Sequence, residues 1–225
     1  MSIFSKFAAT FAVSMIIAAP AIAVTLDFDS GTPVFSGANN LTGYSQDGLV
    51  FDISFSGGGN SVSANLFDTT CSNAAVTNCS SAGDDLDLVP APQGLLGIAN
   101  NVLIIQEANT SLQDDSGSGG TITFTLTSGP VFEVLGFSAI DDGTFELSVG
   151  GGSAGTIINL NDNEVGSILG SPSPLTNSFT IDYLGSGAVD SIVLNIPNVI
   201  PLPASLPMIL VGLGGLGWVA RRKRV

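Results

Sequence analysis

The sequence predicts an all-β, antiparallel β-sandwich lying between two targeting segments. Three observations predict it. Between residues 24 and 197 short runs alternate apolar and polar residues and stop at Gly, Asn, Asp or Ser, the period-2 pattern of half-buried strands. No window in that stretch places apolar residues at helical spacing on a background of good helix formers. Turn residues recur at intervals of about 8–12 residues, the spacing of strands in sandwiches and barrels.

Taken in order, residues 1–23 form a secretory signal peptide. Lys6 supplies the positive start, residues 7–19 the apolar core, and Ala21-Ile22-Ala23 the small-residue cleavage site. The apolar core is too short to span a bilayer, so the mature chain is expected to begin near Val24. Strands are expected at 24–29, 49–56, 62–67, 102–107, 121–128, 131–140, 145–149, 156–160, 178–183 and 189–196. The clearest is Thr121-Ile-Thr-Phe-Thr-Leu-Thr127, whose Ile, Phe and Leu point one way and whose threonines point the other. Phe51, Phe55, Phe124, Phe132 and Phe137 fit the core. Gly57-Gly-Gly59, the glycine-serine run 116–120 and Gly150-Gly-Gly152 read as hairpin tips. No internal repeat is visible. Residues 24–197 suffice for one domain with a sizeable core. A jelly roll, as in carbohydrate-binding modules, suits the strand count and the acids at strand ends; an immunoglobulin-like sandwich is the competing topology.

The stretch 68–101 is the longest irregular one, and ordering it needs a staple or a function. It contains Cys71 and Cys79. Both are exported into an oxidising compartment, so a disulfide closing this short loop is expected. A catalytic or metal-ligating pair and two free thiols are the alternatives. Residues 198–205 form a Pro-rich stalk, 206–220 an apolar segment read as a single transmembrane helix, and 221–225 a basic cytoplasmic tail.

Charge is distributed unusually. All five basic residues lie in the targeting segments: Lys6, Arg221, Arg222, Lys223 and Arg224. All 19 acids lie between Asp27 and Asp190, and the chain has no His. The exported domain therefore has no side-chain cation. It cannot form an internal salt bridge between side chains, and it has nothing with which to bind phosphate or nucleic acid directly. Ser-His-Asp, Cys-His, Lys Schiff-base and His-ligated zinc chemistry are excluded by composition.

The C-terminal 25 residues have three parts. Pro201, Leu202, Pro203 and Ala204 precede Ser205, which can cap a helix start, with Pro207 in the first turn. The run 206–220 has no charge and covers about 22 Å, short of the ~30 Å hydrocarbon core. Counting from Pro201 reaches a marginal span, weakened by four glycines. The terminal basic cluster holds the end on the cytoplasmic side. This arrangement resembles the PEP-CTERM class of bacterial sorting signals, and Ile200-Pro-Leu-Pro-Ala204 is similar to its VPLPA variant with Ile leading. The resemblance implies export through the Sec translocon, cleavage by signal peptidase, and transfer by an exosortase, a membrane-embedded protease/transpeptidase. It also implies a Gram-negative cell surface or extracellular matrix and an association with extracellular polysaccharide and biofilm. A plain C-terminal membrane anchor is the bland reading of the same segment.

The acids cluster as Asp27 with Asp29, Asp84-Asp85 with Asp87, Asp114-Asp115, and Asp141-Asp142. Asp suits turns and compact oxygen cages, and calcium takes six to eight oxygens from irregular loops. Calcium is therefore the expected cofactor. Jelly-roll binding modules place a structural calcium between the first strand, a loop and the last strand. By that resemblance Asp29, Asp85, Asp87 and Asp190 are the candidate metal ligands. Solvated turn acids are the alternative. Glu107, Glu133 and Glu146 lie on expected strands, where a solvent-facing position explains them without the paired-carboxylate chemistry of glycoside hydrolysis. Tyr44 and Tyr183 are the only aromatic residues with a polar handle in the domain, since Trp218 lies in the anchor. The sequence thus reads as a non-catalytic surface or matrix protein with a structural or adhesive role and bound calcium. A carbohydrate-binding module is the alternative, and a glycoside hydrolase a further one.

Overall fold

A computed structural model describes residues 21–37, 40–69, 101–107, 115–141, 143–157, 160–161, 164–170 and 172–197. Among them the chain forms thirteen strands and no helix. They are β1 (Ile22–Leu26), β2 (Thr32–Phe35), β3 (Leu41–Gln46), β4 (Leu49–Ser56), β5 (Ser61–Asp68), β6 (Asn101–Glu107), β7 (Gly120–Ser128), β8 (Glu133–Ile140), β9 (Phe145–Val149), β10 (Gly152–Ile157), β11 (Val165–Leu169), β12 (Ser178–Tyr183) and β13 (Ala188–Ile196). Every pairing is antiparallel. One sheet runs β11-β8-β13-β6-β5, with β1 also on β13; the other runs β10-β9-β12-β7-β4-β3-β2.

The connectivity is that of a jelly roll. Strands β6 to β13 pair in nested fashion: β9 with β10, β8 with β11, β7 with β12 and β6 with β13. Such nesting is a long hairpin rolled so that its strands fall alternately into two facing sheets. Four N-terminal strands widen it: β2, β3 and β4 extend the second sheet beyond β7, and β5 extends the first beyond β6.

Alternation puts the apolar faces inward. In β7, Ile122 and Phe124 are buried while Thr121, Thr123 and Thr125 face out. In β12, Phe179, Ile181 and Tyr183 are buried between Thr180 and Asp182. Phe124 lies opposite Phe179 in the ladder, and the two rings stack with centroids 4.7 Å apart. Phe51 meets both rings edge-on at 5.9 and 6.1 Å, and Phe132 meets Phe179 at 5.9 Å and Phe51 at 5.7 Å, the geometry that ring quadrupoles favour. Strand β6 departs from alternation because both of its faces are covered. Leu103 and Ile105 join the main core, while Val102 and Ile104 pack with Phe67, Ile140 and Ala188 in a second cluster. A continuous apolar run is what a strand buried on both faces requires.

Three strands were not expected from the sequence. β2 contains Pro33, β3 contains Gly43, and β11 contains Gly166. Two of them occupy positions that tolerate such residues, since β2 ends one sheet and β11 ends the other. The strand expected at 156–160 is shifted to Gly152–Ile157, with a register shift between Ser153 and Gly155. At Gly136, in the middle of β8, a Cβ would lie 1.9 Å from the Ile168 carbonyl oxygen, so only glycine lets β8 and β11 approach. Truncating Phe124 to Ala leaves a cavity beneath the stack. Denaturant unfolding of Phe124→Ala should show a loss of about 3–5 kcal/mol, and a loss below about 1 kcal/mol would mean that the ring cluster does not organise the core.

Candidate functional site

The one place where the described acids gather around an unsatisfied polar atom is a junction on β13. Strand β1 pairs with the second half of β13, from Leu26 opposite Ile192 to Ile22 opposite Ile196. Strand β6 pairs with its beginning, Val189 opposite Leu103. Between these pairings β13 has a register shift between Val189 and Ser191 against β8, at Asp190. The chain leaving β1 turns here through residues 27–31.

That turn is built locally. The Asp27 carboxylate accepts the backbone N–H groups of Asp29 and Ser30, each at 3.1 Å, and the Ser30 hydroxyl at 2.9 Å, the self-capping bonding of Asx turns. Phe28 takes a left-handed φ of 57° and still buries its ring. Gly31 donates its N–H to the Tyr44 hydroxyl, and a Cβ on it would meet that ring at 2.3 Å. Gln46 of β3 then latches the turn from the opposite sheet. Its amide donates to the Thr25 carbonyl at 2.7 Å and to Ser30 Oγ at 3.1 Å, while its oxygen accepts from Tyr44 Oη and the Asp27 N–H.

Asp29 is held against β6. Its Oδ1 accepts the Asn101 N–H at 2.8 Å, and Asn101 Nδ2 donates to the Phe28 carbonyl at 3.1 Å. Asn101 lies opposite Asp68 in the β5–β6 ladder, and both side chains are buried. Asn101 Oδ1 has no hydrogen-bond partner. Burial pushes the Asp29 carboxyl above its ordinary value, and the charges of Asp27 and Asp68 add to that push against the Asn101 N–H. Asp190 is raised as well, first by burial. The Ser138 and Ser191 hydroxyls oppose this, and the charges of Asp29 and Asp27 add to it. Ser138 Oγ donates to Asp190 Oδ2 at 3.0 Å. For Asp27 burial also acts upward, but its bonds from Ser30 and Asp29 prevail and hold it below the ordinary value.

Of the four expected ligands, the fold brings Asp29 and Asp190 to one junction. Asp85 and Asp87 lie outside the described residues, as do Cys71, Cys79, the sorting residues 201–204 and the basic cluster 221–224. The sequence reading missed Asp68 and Asn101. Each stands at one end of the long irregular stretch, next to a strand, and that position was the available signal. Among the described residues no three acidic side chains close on a common point, so a metal here needs amide or carbonyl oxygens as well.

A second acid pair lies between β7, β8 and β13. Ser186 Oγ is 2.7 Å from Asp115 Oδ2 and 3.4 Å from Asp141 Oδ2, and the Gly187 N–H donates to Asp115. Neither tyrosine presents a stacking surface for sugar. Tyr44 is 1 % exposed, and Tyr183 is 2 % exposed with its hydroxyl donating to the Leu103 carbonyl at 2.8 Å. The outer face of the second sheet carries in-register rows instead: Ser54, Thr123, Thr180 and Ser148 in one, and Ser56, Thr121, Asp182 and Glu146 in the next. Thr121 Oγ1 donates to Asp182 Oδ1 at 2.5 Å. A shallow cavity of about 420 Å³ opens beside that second row, lined by Ser118, Gly120, Thr121, Glu146, Asp182, Tyr183 and Leu184.

Architecture and tail together define the class of protein. The domain is an all-β sandwich, and residues 199–224 match the PEP-CTERM protein-sorting motif. The chain carries the tail of a PEP-CTERM protein: an exported, membrane-anchored precursor that an exosortase processes and sorts to the cell surface. No curated protein and no solved structure matches the chain significantly. Among the described residues no helix is long and apolar enough to cross a membrane, and the tail lies outside them.

The Gln46 latch yields a test. In Gln46→Leu the Asp27 N–H, the Tyr44 hydroxyl and the Thr25 carbonyl lose their shared partner. A loss of about 2–3 kcal/mol in denaturant unfolding is expected, and wild-type stability would mean that the latch contributes nothing.

Proposed function

We propose that the sandwich is a non-catalytic structural or adhesive domain, delivered by exosortase processing to the surface or polymer matrix of a Gram-negative cell, with calcium offsetting its acid excess. The observation that carries the reading is a domain of 19 carboxylates without one basic side chain, in which a buried amide oxygen still lacks a donor. Fixed like charges at this density favour binding a divalent cation. Catalysis finds little support. Between residues 24 and 197 there is no histidine, lysine or arginine to act as base, nucleophile or electrophile, and the described cavity beside Asp182 and Glu146 is shallow.

The hydroxyl rows on the second sheet favour one further reading, a carbohydrate-binding module. A face of Ser and Thr hydroxyls with interspersed carboxylates offers hydrogen bonds to a polyol. It offers no ring for stacking and no cation for an anionic polymer. A neutral extracellular polysaccharide is the partner of that reading, and a glycan array tests it: binding that survives Asp182→Asn but fails in Thr123→Val/Thr180→Val would place the glycan on this face.

Two measurements test the main reading. Intact-mass analysis of surface material should show a chain starting near Val24 and lacking everything beyond about residue 204. Retention of Trp218 would sink exosortase processing. Thermal melting of the exported chain should rise with free calcium, by about 2.7 kcal/mol at a hundredfold excess over Kd, beyond the effect of sodium at matched ionic strength. Equal melting in the two salts would leave the acids as a solvated surface.

A further inference from the structure

We propose that Asp29, Asp68 and the amide oxygen of Asn101 form a calcium site at the junction where β1 and β6 meet on β13. The inference rests on the calcium reading above and names where the ion binds. Four observations carry it. First, Asn101 is 1 % exposed, and its Oδ1 is a buried acceptor with no donor. Its Nδ2 is committed to the Phe28 carbonyl and its N–H to Asp29. An orphaned acceptor in such a place costs free energy unless something positive meets it. Second, two carboxylates stand beside Asn101. Asp68 stands opposite it in the ladder and is fully buried, and Asp29 is bonded to it. The domain has no side-chain cation to place among them. Third, the three residues share a rim. Strand alternation places Asn101 on the same face as Leu103 and Ile105, which belong to the main core, so the oxygens lie at the edge of the sandwich interior. Fourth, the donors are all oxygens, which is the set that hard cations such as calcium take and that zinc or copper does not favour. Carboxylate, amide and nearby backbone carbonyl oxygens together supply the mixed shell calcium accepts. Asp190, on β13 beside the junction, adds negative charge at longer range.

Such an ion would join three parts of the chain. Asp29 follows β1, Asp68 ends β5 and Asn101 begins β6. Residues 70–100 lie between the last two in sequence. Binding there would fasten both ends of that stretch to the N-terminal turn.

The experiment is calorimetric titration of the exported chain with calcium, magnesium and sodium, paired with melting of the ion-free protein. Wild type should bind one calcium at this site. Asp29→Asn and Asp68→Asn should each weaken calcium binding at least tenfold without lowering the ion-free melting temperature, since a neutral amide replaces a carboxylate among carboxylates. Asn101→Asp should do the reverse: the ion-free protein melts earlier and calcium binds more tightly. Asp182→Asn, on the outer face of the other sheet, should match wild type. Opposite signs on ion-free stability and affinity are a signature that lost packing does not give. If wild type binds calcium and both Asp29→Asn and Asp68→Asn keep wild-type affinity, the ion lies elsewhere and this site falls while the calcium reading stands. If wild type binds no calcium, a buried water satisfies Asn101 and both fall.

Discussion

The constraint that shapes the polar contacts of this domain is the absence of any basic side chain between residues 7 and 220. A carboxylate in an ordinary protein finds an arginine or lysine; here the bonded ones among the described residues take neutral donors. Asp27 takes the Ser30 hydroxyl, Asp29 the Asn101 N–H, Asp115 the Ser186 hydroxyl, Asp182 the Thr121 hydroxyl and Asp190 the Ser138 hydroxyl. Glu107, Glu133 and Glu164 take the side-chain amides of Asn60, Asn195 and Asn161. Hydrogen bonds to charged groups are roughly twice as strong as neutral ones, so these pairs hold the acids in place. They do not remove the charge. Glu164, exposed and served by two donors from Asn161, is pulled below its ordinary value, whereas Asp29, half-buried, and Asp190, buried, are pushed up near other acids. The balance between donors and burial is what separates surface acids from those at the β13 junction.

The jelly roll makes that junction possible. Nested pairing brings β6 beside β13 although the two are far apart in sequence. It leaves the remaining length of β13 open for β1. Two strands then abut on one, and the gap between their ends falls at the register shift next to Asp190. Polar residues collect there because neither ladder continues through the gap. The core supplies the opposing order: Phe51, Phe124, Phe132 and Phe179 tie the strands together from inside, so the irregular rim is carried by a regular interior.

The parts of this arrangement differ in how far the sequence discloses them. Strands such as β7 and β12 are legible because alternation is a local signal, and their phenylalanines point where the pattern says. The edge strands β2 and β11 were hidden by Pro33 and Gly166, residues that normally mark turns and that an edge tolerates. Tyr44 and Tyr183 were candidates for exposed rings, yet both are buried with their hydroxyls satisfied, because a tyrosine hydroxyl can reach a backbone carbonyl or a glutamine across the core. The site is legible only in part for a different reason. Asp29 and Asp190 could be selected from the general arrangement of first and last strands. Asp68 and Asn101 meet through β5–β6 register, and register depends on pairing that no local pattern encodes. Their one local mark is that each borders the long irregular stretch.

The same pairing bears on export. Antiparallel association of β1 with β13 sets Ile22 opposite Ile196, so the domain's first and last strands begin and end side by side. Ile22 is 55 % exposed, Ala23 is exposed, and burial starts at Val24. A cut after Ala23 therefore removes only the exposed start of β1 and keeps Val24 and Leu26, the residues that fill the core. The chain leaves β13 at Pro197, just before the sorting tail. This antiparallel pairing brings the two ends of the described domain side by side. The ends of the sandwich thus lie on the two strands, β1 and β13, that flank the junction of Asp29 and Asp190.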